Sequence, residues 1–508
     1  MMITTSKIGT DQLIASMHPL DVAGNSQGVI RDLVYDSRKA GPGCAFFALR
    51  GISDDGHQFI ADAVDRGAEL VVMEEPHPVK GATGIVVANA RQALAEASAL
   101  FFGQPTRTMR VVGVTGTNGK TTVTYLIEAM LIAARQRPAV VGTVNYRYQG
   151  SETPASHTTP ESYDLQKLTA DFLGQGADSL VLEVSSHALE QNRVSGINFE
   201  VGIFTNLTPE HLDYHQTMES YFSSKKKFYD DYIVPQGSRA VVNIDDPYGR
   251  RIADELDDAL TCGLAAEADV RAENVTLSRR GIEADVVIPH GRFRLQSALL
   301  GGFNLSNLLC AIAGGVALDL PLDAIVSGVK AVPVVPGRIE TIENNRDALI
   351  LVDYAHTGDA LENVLQAVNE LAGGRVITLF GCGGDRDRSK RPVMGEIAAR
   401  FSDLAIVTSD NPRTEDPDSI INEILTGVKK HYASPLMLEQ LQSSSSKGHV
   451  VVPDRREAIQ VAVEILLPGD LLLVAGKGHE DYQIIGKEKV HFDDREEIRQ
   501  ALRASGRD

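Results

Sequence analysis

"RVVGVTGTNGKTTVTYLIEAML", residues 110–131, changes period in its middle. Residues 110–115 are a short β-branched apolar run, the length of a buried strand. After Lys120 the apolar positions Val123, Leu126, Ile127, Met130 and Leu131 fall at i, i+3, i+4, i+7 and i+8, one stripe of a helix. A strand that passes through a glycine-rich turn into a helix aims successive backbone N–H groups and the helix N-terminus at an anion. Lys120 is placed to neutralise the β- and γ-phosphates of a nucleoside triphosphate, and Thr121 to offer a hydroxyl to Mg²⁺. The match to G-x-x-x-x-G-K-[ST] is imperfect: position 114 is Val, and Gly113, Gly116 and Gly119 supply the turn. A plain glycine turn is the alternative reading, disfavoured by the strand and helix on either side. A nucleoside triphosphate is the expected ligand, held by Gly116, Thr117, Asn118, Gly119, Lys120, Thr121 and Thr122.

The same alternation continues outward. "SLVLEV" (179–184), "VGIFTN" (201–206) and "AVVNID" (240–245) read as strands, as do "LILVDY", "VITLFG", "LAIVTS" and "LLLVAG" after residue 345. Strands alternating with helical segments predict the α/β class with parallel sheets. A chain of 508 residues exceeds what one core supports. Proline and glycine interrupt the periodic segments near "GQPTRT" (103–108) and "VPVVPGR" (332–338), which predicts three domains: 1–107, 108–335 and 336–508. "SSSS" (443–446) reads as a surface loop.

Composition excludes several classes. Hydrophobic residues are 43% and charged residues 23%, ordinary for globular chains, and no apolar run approaches a membrane span. The start "MMITTSKIGTDQLI" has no charged leader before an apolar run, so a cytoplasmic protein is expected. Cys44, Cys262, Cys310 and Cys382 form no CxxC, against a disulfide framework or structural zinc. A net charge of −19 disfavours nucleic acid as partner, so any anionic ligand must be caught locally.

In "LEVSSHALEQNRV" (182–194), Glu183 falls at the end of a strand, where open α/β sheets collect ligands, and suits a hard cation; a surface acid or a helix N-terminal charge is an equal alternative. His211 and His215 are four apart but lack the glutamate of H-E-x-x-H, so zinc is not expected. Lys225, Lys226 and Lys227 read by spacing as a solvated helix face. Asn304 and Asn307, three apart at a helix start, can together read a base edge, with ordinary capping by Asn304 as the favoured alternative. In the last third, "VDYAHTGDAL" (352–361), "FGCGGDRDRSKRP" (380–392), "SDNPR" (409–413) and "AGKGHE" (475–480) all fall at strand ends, which in a doubly wound sheet share one crevice. It gathers Asp353, His356, Arg386, Arg413, Lys477 and Glu480. Arginines with one retained acid suit a ligand bearing carboxylates and an ammonium group.

Together the motifs resemble the Mur ligase family over nearly the whole chain. Its markers here are "GTNGKTT", "EVSSHAL", "HLDYH" followed by "YFSSK", "GGFNLSN", "PGRIE", "VDYAH", "GCGGDRDRSKRP", "DNPR" and "AGKGHE". The resemblance implies an N-terminal UDP-binding domain, a central P-loop ATPase domain and a C-terminal Rossmann-like domain that brings an amino acid. It also implies an ATP-dependent ligase, acting as a cytoplasmic monomer with Mg²⁺. Its reaction would add meso-diaminopimelate to the D-Glu γ-carboxylate of UDP-MurNAc-L-Ala-D-Glu through an acyl phosphate. By the same resemblance, Lys120, Glu183, His211 and Lys225 are catalytic, with Thr121, Glu183, His211 and a carbamylated Lys225 at the metal. Asn304, Asn307, Arg338 and Asp353 match adenosine contacts. Thr158, Thr159, Ser185, Gln191 and Arg193 match contacts to the muramoyl dipeptide, and Ser37 in "YDSR" the uridine side. Arg386, Asp410, Asn411, Pro412, Arg413, Gly476 and Glu480 match the amino-acid pocket.

In that pocket Asn411 and Pro412 are expected to fix Arg413, whose fork suits the distal carboxylate of diaminopimelate; L-lysine lacks one. A lysine-adding relative, a folylpolyglutamate synthase and a noncatalytic ATP-binding module are the rivals. Arg413 disfavours the first, "DNPR" with the N-terminal domain the second, and retention of Lys120, Glu183, His211 and Lys225 the third. One departure stands out: position 358 is Gly where the family usually has Pro, expected to change loop stiffness and with it nucleotide affinity, without a change of activity.

Overall fold

The computed structural model describes residues 7–25, 27–51 and 54–505; residues 1–6, part of the start read above as lacking a leader, lie outside them. Three larger sheets follow one another along the chain, beside two two-stranded ones. The first has five strands in the order Asp21–Ala23, Thr83–Val86, Leu70–Met73, Cys44–Phe47, Asp32–Val34, all parallel except the first.

The second sheet contains β1 (Arg110–Thr115), which runs through the glycine turn into α1 (Lys120–Ala133). β2 (Ser179–Glu183) and β3 (Val201–Phe204) lie parallel on either side of β1. The apolar stripe of α1 is fully buried in one core with Val112, Val114 and the helix α3 (Gly302–Ala317). At roughly 1.5–3 kcal/mol per buried aliphatic side chain, that stripe holds the helix, and with it the loop, on the sheet. Between β3 and α3 in sequence lies α2 (Met218–Lys227), which carries the three lysines.

Of this sheet's eleven strands only the central seven, from Pro138–Val141 to Val270–Ser278, are mutually parallel. Two strands at one edge, Asn145–Tyr148 and Ser151–Pro154, and two at the other, Gly281–Ile288 and Gly291–Ser297, pair antiparallel. The expected parallel sheet thus forms the centre of a mixed one. Tight turns such as Gln149–Gly150, both at positive φ, leave no room for a crossover helix, so those strands must return antiparallel.

The third sheet places β4 (Leu349–Asp353), β5 (Val376–Phe380), β6 (Leu404–Val407) and β7 (Leu471–Ala475) in the spatial order β4-β7-β5-β6, all parallel. Glu340–Ile342 pairs antiparallel outside β4, and Gly448–Val451 parallel outside β6. Gly358 opens the helix Gly358–Asn369, and a Cβ there would stand 2.8 Å from Val393 Cγ1 and 3.2 Å from Ile397 Cδ1. Its missing side chain therefore admits close helix packing.

Candidate active site

At the end of β1 the loop is drawn tight around two glycines. Gly116 (φ 142) and Gly119 (φ 87) adopt conformations that other residues avoid, and a Cβ would stand 1.9 Å from Thr205 Oγ1 at the first and 2.0 Å from Asn307 Oδ1 at the second. Lys120 Nζ donates to the carbonyls of Gly116 (2.9 Å) and Thr117 (2.8 Å). Lys225 Nζ reaches across from α2 and donates to the same Gly116 carbonyl at 2.7 Å. Two ammonium groups thus meet on one oxygen.

Lys225 is buried, whereas its neighbours are partly exposed and ion-paired: Lys226 pairs with Asp230 and Glu255, Lys227 with Glu190. Burial, reinforced by the charge of Lys120, pushes the Lys225 ammonium well below its ordinary pKa. Burial lowers Lys120 as well, against the pull of Glu210 and Glu183. Burial alone would raise Glu210, but His211, Lys120, His356 and Lys225 hold its carboxyl below the ordinary value. Sequence reading passed over Glu210; its position before His211 in "PEHLDYH" is the only signal it gave.

Glu183 is 1% exposed, which removes the surface-acid alternative, and it ends β2 two residues before Ser185 caps the next helix, outside that helix's first turn. Its carboxylate accepts from Thr143 N (3.0 Å) and Thr143 Oγ1 (2.8 Å). Beside it runs a polar wall from two segments. Thr159 Oγ1 donates to Glu183 O (2.7 Å) and accepts from Ser185 N (3.1 Å), while Thr158 and Thr143 share a hydroxyl contact (3.1 Å). Arg193 donates to Thr159 O (2.9 Å) and twice to Gln191 Oε1. The wall joins the first sheet through Glu161, which pairs with Arg91 at 2.5 Å and stands 3.9 Å from Arg193. Reciprocal bonds Tyr35–Asp164 (2.6 Å) and Tyr163–Asp32 (2.7 Å) complete that junction. Ser37, buried, lies on the first sheet's side of it. His211 lies at positive φ with its ring edge-on to His187 (4.9 Å between centroids), while His215 turns to Ser186 Oγ (3.0 Å). Among the described residues no group of three or more His, Cys, Asp or Glu could cage a metal.

Asn304 does not cap its helix. Gly301 holds the cap position, Asn304 Nδ2 donates to Leu300 O (2.8 Å), and Asn307 Nδ2 donates to Asn304 Oδ1 (3.1 Å), aligning the two amides beside Gly119. Arg338 lies over the Tyr354 ring at 4.8 Å and donates to Thr121 Oγ1 (3.3 Å); Asn118 Nδ2 reaches Asp359 Oδ2 (3.4 Å). These contacts bring the third sheet to the phosphate loop. Asp353, buried and raised in pKa by that burial, accepts from Ile339 N and Ala355 N (2.8 Å each).

The ends of β5, β6 and β7 converge as expected. Arg413 Nη1 donates to Gly384 O (2.7 Å), Asn411 Nδ2 to Glu480 Oε2 (3.0 Å), and Gly384 N to Asn411 O (2.9 Å). Gly476 (φ 114) lets the chain turn off β7, and Arg386 stays exposed. Proline is only part of what holds Arg413. β8 (Tyr482–Ile485) and β9 (Glu488–His491) form a hairpin, and Arg413 N donates to Ile484 O (3.0 Å) while its carbonyl accepts from Gly486 N (2.7 Å). That clamp, far away in sequence, holds Arg413 at φ 50.

Three family descriptions match the chain: "Mur ligase family, catalytic domain" over residues 29–102, "Mur ligase middle domain" over 114–315, and "Mur ligase, glutamate ligase domain" over 337–478. A UDP-N-acetylmuramoyl-L-alanyl-D-glutamate–2,6-diaminopimelate ligase of Geobacter metallireducens is 52% identical, covering 97% of this chain and 98% of its own. The ligase of the same name from Geobacter sulfurreducens is 50% identical over 97% and 99%. A solved structure of a ligase of that name aligns with TM-score 0.70 and 33% identity over 98% of this chain and 99% of that one. Folylpolyglutamate synthase of Mycobacterium tuberculosis, at 17% identity and TM-score 0.60 over 76% of this chain and 92% of its own, shares the fold alone.

Proposed function

The chain belongs to the Mur ligase family, and from that premise we propose that it joins meso-diaminopimelate to the D-glutamate γ-carboxylate of UDP-N-acetylmuramoyl-L-alanyl-D-glutamate, cleaving ATP. We assign the reaction to a single copy of the chain in the cytoplasm, where ATP is supplied. A γ-carboxylate oxygen attacks the γ-phosphorus, the bridging P–O bond breaks, and ADP leaves an acyl phosphate. The neutral α-amino group of diaminopimelate then attacks the acyl carbon. The tetrahedral intermediate expels phosphate, and the nitrogen releases its proton to give the amide.

Residues 116–122 would hold the phosphates, with Lys120 exchanging two carbonyls for phosphoryl oxygens and offsetting the charge that shifts during transfer. Asn304, Asn307, Arg338 and Asp353 would hold the nucleoside. Thr121 and Glu183 would offer Mg²⁺ a hydroxyl and a carboxylate, the hard oxygen donors that this ion takes, few of which need come from protein. His211 and the anionic form of Lys225 would stand nearest a second such ion. When bound, Mg²⁺ would supply charge neutralisation at the phosphoryl oxygens. Lys225, buried and depressed in pKa, is disposed to react as the free amine: its nitrogen would bond to the carbon of CO₂ and release a proton, leaving a carbamate. The wall from Thr158 to Arg193 would orient the dipeptide, and Ser37 the uridine end. Arg386, Asp410, Asn411, Pro412, Gly476 and Glu480 would shape the amino-acid pocket, with Arg413 taking the distal carboxylate. Closure of the third sheet on the second would keep water from the acyl phosphate.

One observation carries this reading: Arg338–Thr121 and Asn118–Asp359 bring the third sheet, whose strand-end turns carry Arg413, against the glycine loop that ends β1. Phosphate release with product mass tests it. ATP, Mg²⁺, the nucleotide dipeptide and diaminopimelate together should give one phosphate per tripeptide, with none when either acceptor is omitted. Phosphate release without amide would overturn the reading.

A further inference from the structure

We propose that Lys477 is the positioning residue that makes the amino-acid pocket read the distal ammonium of its ligand as well as the distal carboxylate. This role rests on the diaminopimelate reading above. Lys477 follows β7 and is fully buried. Its Nζ donates to Tyr482 O at 2.7 Å and to Asn411 Oδ1 at 3.1 Å, and stands 3.2 Å from Asp410 Oδ1 and 3.9 Å from Glu480 Oε2. Asn411 spends its other amide atom on Glu480 and also accepts from Ile484 N (3.0 Å). One ammonium therefore ties the turn bearing Arg413, the hairpin that clamps it and the acid of the pocket into a single unit.

Beneath them Arg455, fully buried, makes a two-pronged pair with Asp494 (2.8 and 2.7 Å) and donates to Ala475 O (3.0 Å) at the end of β7. Three carboxylates, Asp410, Glu480 and Asp494, thus face Lys477 and Arg455, with Arg413 acting on Glu480 from the pocket; once a ligand's distal carboxylate takes Arg413, one negative charge is left over. Burial and the neighbouring Asp410 push the Glu480 carboxyl up, while Lys477 and Arg455 hold Asp410 down against its own burial. The surplus charge therefore belongs at Glu480, on the ligand's side. An unbalanced buried charge is unfavourable until a cation meets it, and the far end of diaminopimelate brings one beside the carboxylate that suits Arg413. Without Lys477, Asp410 and Glu480 would share the site with no cation between them, and one would hold a proton. A neutral Glu480 no longer distinguishes an ammonium group from a hydrogen atom.

Three amino acids separate the two halves of this recognition: meso-diaminopimelate has both distal groups, 2-aminopimelate only the carboxylate, L-lysine only the ammonium. The test is kcat/KM for each with the full chain, ATP, Mg²⁺ and the nucleotide dipeptide, in wild type, Lys477→Met and the isosteric Asp410→Asn. Wild type should prefer diaminopimelate over 2-aminopimelate by about tenfold or more, the scale of one charged contact. Lys477→Met should bring that ratio to within about threefold of unity, with KM for ATP and for the dipeptide within about twofold of wild type. Asp410→Asn removes the surplus charge while keeping the packing, should lower the same ratio, and decides the matter if Lys477→Met does not fold. An unchanged ratio in the folded variants overturns the role of Lys477. A wild type that does not use diaminopimelate at all overturns the function proposed above instead.

Discussion

The phosphate loop and the amino-acid pocket both sit at strand ends, and they are built in opposite ways. The loop is one run of seven consecutive residues, 116–122, with side chains from Asn307 and Lys225 closing over it. The pocket is made of side chains from three segments separated by up to about a hundred residues, held by buried charges and a hairpin. A phosphate chain is the same whatever amino acid follows, so a fixed backbone cradle serves. Choosing among amino acids needs charges placed one by one. Damage to the first region should therefore lower all turnover, and damage to the second should change which amino acid is used.

The largest break in that contrast should come from Lys120→Ala, which leaves the transferring phosphoryl group without its cation. Turnover should fall about 10³-fold or more, equally with diaminopimelate and with any poorer substrate. Lys225→Ala should abolish turnover as well, with partial recovery when a short-chain carboxylic acid is added. Recovery by a short amine instead would assign Lys225 a cationic role. Arg413→Ala should cost about 10- to 100-fold in kcat/KM for diaminopimelate, the roughly 1.5–3 kcal/mol of a charged contact, with a much smaller change for L-lysine. Equal losses for both would place Arg413 in the scaffold.

The pocket side should also be the acid-sensitive side. Burial, then Arg338 and Arg495, lowers the pKa of His479 to about 3, against 6.5 for an ordinary histidine. Between those values the unfolded chain binds a proton that the folded chain refuses. His479 therefore contributes stability above pH 6.5 that is lost as pH falls toward 3. Urea midpoints should decline from pH 7 to pH 4.5, and His479→Gln should flatten the decline. The smallest effect is expected at Gly358. Gly358→Ala should destabilise by about 1–3 kcal/mol through overpacking against Val393 and Ile397 while leaving the amino-acid preference unchanged.

The contrast also explains what could be read from the sequence. The loop was legible because a strand, a glycine turn and an amphipathic helix lie in one stretch, and each obeys a local rule. The strand-end crevice was legible as a set of positions, since parallel strands bring their ends together. Lys225 could not be told from Lys226 and Lys227 by spacing; only the packing of α2 against the loop separates a buried amine from two partly exposed ones. Asn304 looked like a cap because caps depend on where the helix begins, and it begins two residues earlier at Gly302. The grip on Arg413 was credited to Asn411 and Pro412 because the hairpin that shares the work lies about seventy residues on. Glu210 and Thr143 act through neighbours that only the fold supplies.

The most direct test of the central claim is a competition: wild-type chain with ATP, Mg²⁺, the nucleotide dipeptide and equal concentrations of meso-diaminopimelate and L-lysine, with the products separated by mass. The account predicts the diaminopimelate tripeptide almost alone. Comparable amounts of the lysine tripeptide would contradict it, because a clamped Arg413 would then be selecting nothing.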